Sequence, residues 1–355
     1  MRELPVIVLG GAGYVAGELL RLLAMHPHLQ PAAIVSRSQA GKAVPEVFPH
    51  LRGVWDTLKF VGEDAVAGVL AGAASEIAVF SCLPHGEAAA RVDRLLDEAV
   101  ASNVTLHVVD LSADFRLPSV AHYEEVYGGS HGAPDRYDAF TCALPDLEAH
   151  TPSGPVAHPG CFTTAVTLAC APAHVGGLAS GPFRVAAVTG STGSGRNPSP
   201  TTHHPERHGS LKAYLPLHHR HAPEMSMLLA RVRDGGDEPE VLFVPHSGPF
   251  ARGIHATVHV ELARAMTTEQ LLALYTKFYA DAPFVSVSDQ PPVLKEVIGT
   301  NRCRIGVAAS GSHGVVFSVI DNLTKGAAGG AVQWMNRLCG FEPDAGLRLP
   351  ALGWN

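Results

Sequence analysis

The chain has 355 residues, with 26 lysines and arginines against 33 aspartates and glutamates, and a formal net charge of −7. This length is enough for two domains of ordinary size, each with its own core. An acidic chain without a polybasic run excludes nucleic acid and a membrane surface as the expected partners. With 36 glycines, 27 prolines and 17% charged residues, the composition is typical of a compact α/β enzyme that acts on a small molecule.

The first pattern along the chain is a strand, a glycine turn and a helix. The apolar run Pro5–Leu9 precedes the turn, and leucines at helical spacing follow it. Gly10 and Gly11 permit a tight turn, while Gly13 lets the backbone approach a pyrophosphate at the start of the helix. The alternative is a glycine-rich turn without a ligand. The residues predicted to contact a dinucleotide are Gly10, Gly11, Ala12, Gly13, Tyr14, Val15 and Ala16.

The second strand, Ala32–Val35, ends in Ser36, Arg37 and Ser38. A site that prefers NAD usually places an acidic residue here to hold the ribose 2′-hydroxyl, whereas serine and arginine suit a 2′-phosphate. These three residues therefore predict NADP as the cofactor.

Two further apolar runs, Ile77–Ser81 and Leu106–Asp110, are separated by a helical stretch and predict a parallel sheet covered on both faces. Ligands of such sheets bind at the carboxyl ends of the strands.

The loops after these two runs therefore carry candidate site residues. Pro84 and Gly86 are expected to line the cofactor. His85 is either catalytic or, in the favoured interpretation, shapes the nicotinamide pocket. Arg116 either holds an anionic substrate group or forms a surface ion pair with Asp114 or another acid.

The central chemical candidate is Cys161, in the sequence HPGCFTTA at residues 158–165. A thiol at a helix N-terminus lies where backbone N–H groups stabilise an anion, which lowers the pKa and raises the thiolate population. These are the properties of a nucleophile. The alternative is a buried structural cysteine, because free cysteines are among the most buried residues. The six cysteines are scattered without a CxxC pair, which predicts reduced thiols in a soluble, cytoplasmic protein.

Beyond Cys161 the pattern changes. The run Ile254–Leu262 alternates apolar and polar residues, which predicts an antiparallel or mixed sheet with one buried face. The glycine-rich loop at 189–196 is expected to border the active site, with Ser191 and Gly193 near the cofactor. A late strand, a DNLTKG segment and an alanine-rich helix to about Leu338 are expected to return to the nucleotide domain and place Asn322 near the cofactor.

Histidines are concentrated between residues 203 and 221. No metal site is expected there, because the segment lacks HExxH, a cysteine pair and regular helical spacing. General acid/base catalysis beside a thiol is the favoured role for one of these histidines. The role of the cluster from His203 to His208 is left open. The six histidines are His203, His204, His208, His218, His219 and His221.

Together these features resemble the N-acetyl-γ-glutamyl-phosphate reductase family along nearly the whole chain. The resemblance implies NADP-dependent reductive dephosphorylation of an acyl phosphate to a semialdehyde, as in arginine biosynthesis. It also implies that Cys161 is the nucleophile and His219 the acid/base, with His221, Ser112 and Arg116 in contact with the substrate. The matching segments are GxxGYxxxEL from residue 10, Ser36–Arg37, Leu83–Gly86, Asp110–Arg116, Pro159–Phe162, His219–Glu224 and Asp321–Gly326.

The implied fold is a Rossmann-type parallel sheet domain plus an α+β domain with a mixed or antiparallel sheet. The NADP-binding domain is predicted at 1–157, completed by a C-terminal helix at 326–355. The catalytic and dimerisation domain is predicted at 158–325, and the protein is expected to be a homodimer or homotetramer.

Two departures from the family pattern leave questions open. The segment 199–207 looks more like the related reductases of lysine biosynthesis, whose aminoadipyl phosphate is presented on the carrier protein LysW. The expected substrate is therefore an acyl phosphate that is either free or carrier-linked. Arg304 stands where an acid is expected, so its role is unassigned. The rival classes are another semialdehyde dehydrogenase, such as an aspartate-semialdehyde type, a regulatory nucleotide-binding protein and a histidine-rich metalloenzyme.

Overall fold

The computed structural model describes residues 2–73, 75–233 and 236–353. These residues form two compact units. The first unit contains the described residues up to Ala143, with His150–His158 and Ala328–Arg348, and the second contains Leu144–Ala149, Pro159–Ala327 and the described residues from Leu349 onward. Two of these divisions, at 158/159 and 327/328, are near the predicted boundaries at 157/158 and 325/326. The described residues from Leu349 onward group with the second unit, whereas the prediction placed them in the NADP-binding domain. The sequence did not indicate that 144–149 groups with the second unit.

The apolar runs predicted as strands all form strands, most of them longer than the run, and short strands that were not predicted lie between them. In chain order they are β1 Leu4–Leu9, β2 Leu29–Val35, β3 Phe60–Val61, β4 Glu76–Ser81, β5 Thr105–Asp110, β6 Thr141–Cys142, β7 Val156–Ala157, β8 Phe183–Thr189, β9 Lys212–Ala213, β10 Val241–Ser247, β11 Ile254–Thr267, β12 Val285–Ser288 and β13 Cys303–Ile320.

The helices include one that starts at the cysteine. They are α1 Tyr14–Leu23, α2 Val44–Val47, α3 Ala65–Gly72, α4 Ala88–Ala101, α5 Val120–Tyr127, α6 Cys161–Val175, α7 His204–Arg207, α8 Ala222–Val232, α9 Thr268–Phe278 and α10 Gly329–Leu338. A π-helical turn, Thr324–Ala328, leads into α10. The segment predicted as a C-terminal helix at 326–355 is thus an α-helix only as far as Leu338. Within the described ranges, no helix has the length and apolar character needed to cross a membrane.

The first unit is built on a seven-stranded sheet in the order β3-β2-β1-β4-β5-β7-β6. Every neighbouring pair is parallel, as predicted. The central strands are apolar almost throughout because helices cover both faces of such a sheet. Helix α10 returns to this unit, packs on β5 and donates a hydrogen bond from Trp334 Nε1 to the Ala143 carbonyl at 2.9 Å.

The second unit has a six-stranded mixed sheet in the order β12-β13-β11-β8-β10-β9. Strands β8 and β10 are parallel, as are β12 and β13, whereas β11 is antiparallel to both of its neighbours. In β11 the apolar residues from Ile254 to Leu262 are buried and the intervening polar residues are more exposed, which confirms the predicted two-faced strand.

Helix α6 is the core of the second unit, and every residue from Phe162 to His174 is buried. Pro172 has no N–H, so the carbonyl four residues earlier, that of Leu168, loses its helical partner. The hydroxyl of Tyr279 donates to that carbonyl at 2.5 Å. The Tyr275 hydroxyl donates to the next carbonyl, that of Ala169, at 2.8 Å. The helix that carries the cysteine is therefore fixed by its own packing and by hydrogen bonds.

A buried histidine makes the first unit sensitive to acid. His26 is 4% exposed, and its Nδ1 accepts hydrogen bonds from the backbone N–H groups of His28 and Leu29 at 3.1 and 3.0 Å. Its Nε2 therefore carries the proton and faces Asn336 Oδ1 at 2.8 Å. Burial lowers the pKa of His26 to about 4, with the neighbouring His28 adding to the effect.

We expect the free energy of unfolding to decrease as the pH is lowered from about 6.5 to about 4. In this range the unfolded chain binds a proton at residue 26 and the folded chain does not. The contribution of the neutral His26 to stability is therefore present in full above the range and lost below it. The loss attributable to His26 is about 3 kcal/mol. Urea unfolding of the wild type and of His26→Gln at several pH values measures it. Equal pH dependence of the two proteins would contradict this assignment.

Candidate active site

The glycine turn after β1 leaves open space in front of α1. Gly10 has a φ of +71°, and a Cβ there would lie 2.7 Å from the backbone carbonyl carbon of Cys82, so this position requires glycine. Gly13 is the N-cap of α1, and a Cβ there would meet nothing within 4 Å. A helix start with free space before it suits a pyrophosphate, so these residues fit a dinucleotide.

The other predicted residues of this turn divide into two groups. Gly11 is packed against β2, since a Cβ there would lie 2.5 Å from Ile34 Cγ2, and Ala16 is fully buried against the sheet. Tyr14 is 39% exposed, and Ala12 and Val15 are half-buried. Gly11 and Ala16 therefore let the turn and helix lie close to the sheet.

The residues after β2 present a guanidinium to solvent. Ser36 is buried and its N–H donates to the Val61 carbonyl at 3.0 Å. The side chain of Arg37 is 73% exposed and lies 3.4 Å from a carboxylate oxygen of Glu87. Exposed ion pairs of this kind contribute little, so Arg37 can exchange Glu87 for a phosphate at small cost. Ser38, next in the chain, is also exposed.

The loops after β4 and β5 are joined by Asp114. Its Oδ1 accepts from the Gly86 N–H at 2.8 Å, and its Oδ2 accepts from the Ala89 N–H at 2.9 Å at the start of α4. His85 Nδ1 accepts from the Ala113 N–H at 2.9 Å, which leaves the proton of the neutral ring on Nε2. This role of Asp114 was not predicted from the sequence. Its only sequence signal is an acid at the carboxyl end of a parallel strand.

Two residues predicted to contact the substrate make hydrogen bonds within their own loop. The Ser112 hydroxyl, in a side chain 1% exposed, donates to Asp110 Oδ2 at 2.5 Å and accepts from the Asp114 N–H at 3.1 Å. Burial raises the pKa of Asp110 to about 6. Arg116 is also buried, at 5% exposed, and its Nη2 donates to the Leu111 carbonyl at 2.6 Å. Both side chains shape this loop, and Arg116 is not on the surface.

In the second unit, Cys161 is the first residue of α6 and is half-buried. Its N-cap, Gly160, donates its backbone N–H to Glu224 Oε1 at 2.6 Å, and Glu224 is fully buried on α8. This role of Glu224 was not predicted from the sequence.

Four of the other thiols are kept protonated by burial. Burial raises the pKa of Cys82, Cys303 and Cys339 to about 12 and raises that of Cys170 as well. Such thiols stay protonated and unreactive.

His219 lies in an aromatic enclosure beside the cysteine. Its ring centroid is 5.6 Å from those of Phe162 and Tyr214 and 5.5 Å from that of Phe243. Burial lowers the pKa of His219 to about 4, and the charge of Arg220 adds to this effect. Its Nδ1 accepts from the His221 N–H at 3.1 Å, so the neutral ring carries its proton on Nε2 and can donate it in a hydrogen bond.

His221 contacts the residue before the cysteine. A Cβ on residue 160 would lie 2.5 Å from His221 Cε1 and Nε2, so this close approach requires Gly160. The rings of His219 and His221 are 4.6 Å apart. The two residues on either side of Cys161 thus contact the two histidines. Gly160 lies against His221, the predicted substrate residue, and Phe162 lies against His219, the predicted acid/base.

The π-helical turn supplies a further contact. A Cβ on Gly326 would lie 2.6 Å from Cys161 Cβ and 3.0 Å from its Cα. Atoms in proteins essentially never approach this closely, so only glycine at residue 326 leaves room for Cys161 in this position.

We expect Gly326→Ala to lower kcat by roughly 10²-fold, because a displacement of about 1 Å at a reacting group has effects of this size. Gly326 does not have a positive φ, so the effect is steric. The control is Gly68→Ala in α3, where a Cβ meets nothing within 4 Å. Steady-state kinetics with melting temperatures measure both variants. Near-normal turnover by a folded Gly326→Ala enzyme would contradict the contact.

Asn322 and the glycine loop of the second unit lie together. Asn322 Oδ1 accepts from the Gly253 N–H at 2.7 Å, and its Nδ2 donates to Thr192 Oγ1 at 3.0 Å. Ser191 and Gly193 are in the same short 3-10 turn, where Gly193 is exposed. The amide of Asn322 therefore orders the loop that was predicted to border the cofactor.

The residues whose roles were left open have partners of their own. His204 and His208 have ring centroids 5.1 Å apart in an exposed segment, and across the residues described, no group of three or more His, Cys, Asp and Glu side chains is arranged to hold a metal ion. Arg304 pairs with Glu296 at 3.0 Å and donates to Ser286 Oγ at 3.3 Å.

Comparison with known proteins identifies both units. The family model "Semialdehyde dehydrogenase, NAD binding domain" matches residues 5–150, and "Semialdehyde dehydrogenase, dimerisation domain" matches residues 161–322. An N-acetyl-γ-glutamyl-phosphate reductase of Halorhodospira halophila is 41% identical and covers 97% of this chain and 98% of its own. That of Methanopyrus kandleri is 40% identical, with 97% of each chain covered.

A solved structure shares the fold. Aspartate semialdehyde dehydrogenase II from Vibrio cholerae, complexed with ASA, is 15% identical and superposes with a TM-score of 0.71 over 96% of this chain and 99% of its own. The nucleotide fold and the domain matches define an oxidoreductase of the semialdehyde dehydrogenase class that binds a nicotinamide cofactor. On the full-length identity to its curated relatives, the chain belongs to the N-acetyl-γ-glutamyl-phosphate reductase family.

Proposed function

We propose that the protein reduces N-acetyl-γ-glutamyl phosphate to N-acetylglutamate semialdehyde and phosphate, with NADPH, through a thioester on Cys161. The observation that carries the proposal is the half-buried thiol that begins α6, with Gly160 against His221 and Phe162 against His219. The names of the relatives supply the substrate. The reaction belongs to arginine biosynthesis, and reduced thiols are consistent with a cytoplasmic enzyme.

The thioester forms when the Cys161 thiolate attacks the acyl carbon. The new S–C bond forms, the C–O bond to phosphate breaks, and phosphate leaves with the electron pair and takes up a proton from solvent. The first backbone N–H groups of a helix point towards its N-terminus, so those of α6, which begins at Cys161, are suited to stabilise the developing oxyanion.

A nicotinamide cofactor supplies the hydride for the second half-reaction when it is bound. His219, which the family resemblance assigns as the acid/base, then donates a hydrogen bond from Nε2–H to the oxygen that carries the negative charge, and its neutral ring keeps the proton. Collapse re-forms the carbonyl bond, breaks the S–C bond and returns the electron pair to sulfur. His221, beside Gly160, lines the acyl group, while Ser112 and Arg116 act through the shape of their loop.

The cofactor is proposed to be NADP rather than NAD. Arg37 supplies a positive charge after β2, and no acidic residue occupies the three positions Ser36–Ser38. The glycine turn before α1 would hold the pyrophosphate, and Pro84, Gly86, Ser191, Gly193 and Asn322 are the proposed contacts nearer the nicotinamide.

Phosphate-dependent oxidation of N-acetylglutamate semialdehyde, run in parallel with NADP and NAD, tests the proposal. We expect turnover with NADP and a kcat/KM about tenfold lower with NAD, because a charge-assisted hydrogen bond from Arg37 to the 2′-phosphate contributes about 1.4 kcal/mol. The carrier-linked aminoadipate semialdehyde is assayed beside it. The names of the relatives do not favour this second substrate, and faster turnover with it would overturn the choice.

A homodimer or homotetramer is proposed from the mixed sheet. Its outer face carries half-buried apolar side chains, among them Leu242, Val244, Val315 and Phe317. A face of this kind suits a second copy of the chain, as the family description of a dimerisation domain also suggests. Light scattering of the purified protein should give a multiple of 37.3 kDa, and a monomer mass would refute the assembly.

A further inference from the structure

A buried ion pair lies one residue from the glycine that contacts the cysteine. Lys325 Nζ is 2.5 Å from Asp146 Oδ2, and the two side chains are 1% and 0% exposed. The ammonium group also lies 5.4 Å from the centre of the Phe284 ring. A buried pair of charges seldom stabilises a fold more than apolar residues of the same volume would. Stability alone therefore gives little reason for charges at these two positions.

The position of Lys325 in the chain suggests another reason. It is the second residue of the π-helical turn Thr324–Ala328, and turns of this kind occur frequently at functional sites. Before it, Asp321 Oδ1 accepts from the N–H groups of Leu323 and Thr324 at 2.8 and 3.2 Å. After it comes Gly326, which lies against Cys161. Lys325 is thus the side chain that anchors the middle of this turn.

Asp146 belongs to a short segment that offers its own control. Residues Leu144–Ala149 group with the second unit although the chain on both sides of them belongs to the first. A second ion pair holds the same segment, from Arg231 Nε to Glu148 Oε1 at 2.6 Å, but it leads to the end of α8 instead of the turn. Substitutions in the two pairs can therefore distinguish the effect of anchoring the segment from the effect of anchoring the turn.

We propose that the Lys325–Asp146 pair positions the Cys161 thiol. By anchoring the turn, the pair holds Gly326 against Cys161 and keeps the sulfur at the first N–H groups of α6. Lys325 and Asp146 are positioning residues that act through Gly326 and do not touch the substrate. The inference rests on the covalent route proposed above, but its test includes a measurement that needs no substrate.

The test uses Lys325→Met/Asp146→Leu, which removes both charges and leaves none buried alone. We expect a melting temperature close to that of the wild type, a kcat lower by roughly 10²-fold and a KM within about threefold. We also expect the pH midpoint of Cys161 alkylation by iodoacetamide, without substrate, to rise towards the value of about 8.5 for a free thiol. The matched control, Arg231→Met, should change neither kcat nor the alkylation midpoint.

A folded double variant with wild-type kcat and alkylation midpoint would overturn the proposal. If the double variant does not fold, Lys325→Gln/Asp146→Asn also removes both charges and keeps polar side chains at the two positions, and a normal midpoint in that variant would also overturn the proposal. An inactive wild type would instead refute the proposed reaction, and the alkylation midpoints would still decide whether the pair positions the thiol.

Discussion

Replacement of Cys161 by alanine should lower reductase turnover by roughly 10³-fold or more, because the covalent route has no other nucleophile to accept the acyl group. The substitution itself is mild for the fold. Cys161 is half-buried, alanine is the best helix former, and the N-cap contact from Gly160 to Glu224 uses the backbone. The variant should therefore keep its melting temperature while it loses activity, and steady-state rates with the acyl phosphate or the semialdehyde measure the loss.

Cys170→Ala is the matched control, since this cysteine is in the same helix, fully buried and remote from the helix start. We expect it to lose some stability but to keep kcat within about threefold, as a small core truncation does. Mass spectrometry after mixing with the acyl phosphate should find the acyl group on the wild type and on Cys170→Ala, but not on Cys161→Ala. If Cys161→Ala retained more than a few per cent of wild-type activity, the thioester mechanism would be wrong.

Local patterns in the chain were enough to predict the two sheets. The parallel sheet follows from unbroken apolar runs such as Ile77–Ser81, and the mixed sheet follows from the alternation in β11. The cysteine at a helix start was likewise predictable, because a glycine and the helical pattern after it are neighbours in sequence. These signals depend on spacing over a few residues, which the sequence displays directly.

Contacts over long sequence distances were not predictable in this way. The sequence shows a glycine before the cysteine but not the reason for it, which is that His221 lies against Gly160. Glu224, Asp146 and Asp114 were not assigned because each acts on backbone groups or a cation brought close only by the fold. A carboxylate that holds a loop has the same sequence signature as one on the surface, so burial had to be seen in the structure.

The acid/base assignment had a different origin, since it came from family resemblance, and the structure adds a constraint to it. The bond from the His221 N–H to His219 Nδ1 places the proton of the neutral ring on Nε2, and burial lowers the pKa of His219 to about 4. His219 is therefore neutral at physiological pH. It should serve the reaction chiefly as a hydrogen-bond donor to the developing oxyanion, in the way a preorganised donor stabilises charge.

We therefore expect His219→Asn to lower kcat by roughly 10²-fold and His219→Ala by roughly 10³-fold, within the range for a positioned acid/base group. The difference arises because the amide of asparagine keeps an N–H donor and alanine has none. Both variants should retain the acyl-enzyme step, so phosphate release in the absence of nicotinamide should change less than the complete turnover. Equal losses in the two variants would indicate that proton transfer, and not hydrogen bonding, is what His219 contributes.

The pH profile provides the independent check on His219. Because His219 is protonated only near pH 4, it should add no titration to kcat/KM between about pH 6 and 8. As the pH is lowered towards 4, protonation of the ring should decrease the rate, since the neutral ring is lost. A wild-type profile with a midpoint near the ordinary histidine value of about 6.5, absent from His219→Asn, would show that the ring is charged in one working state. That result would replace the neutral donor with a conventional acid, while leaving the role of Cys161 unchanged.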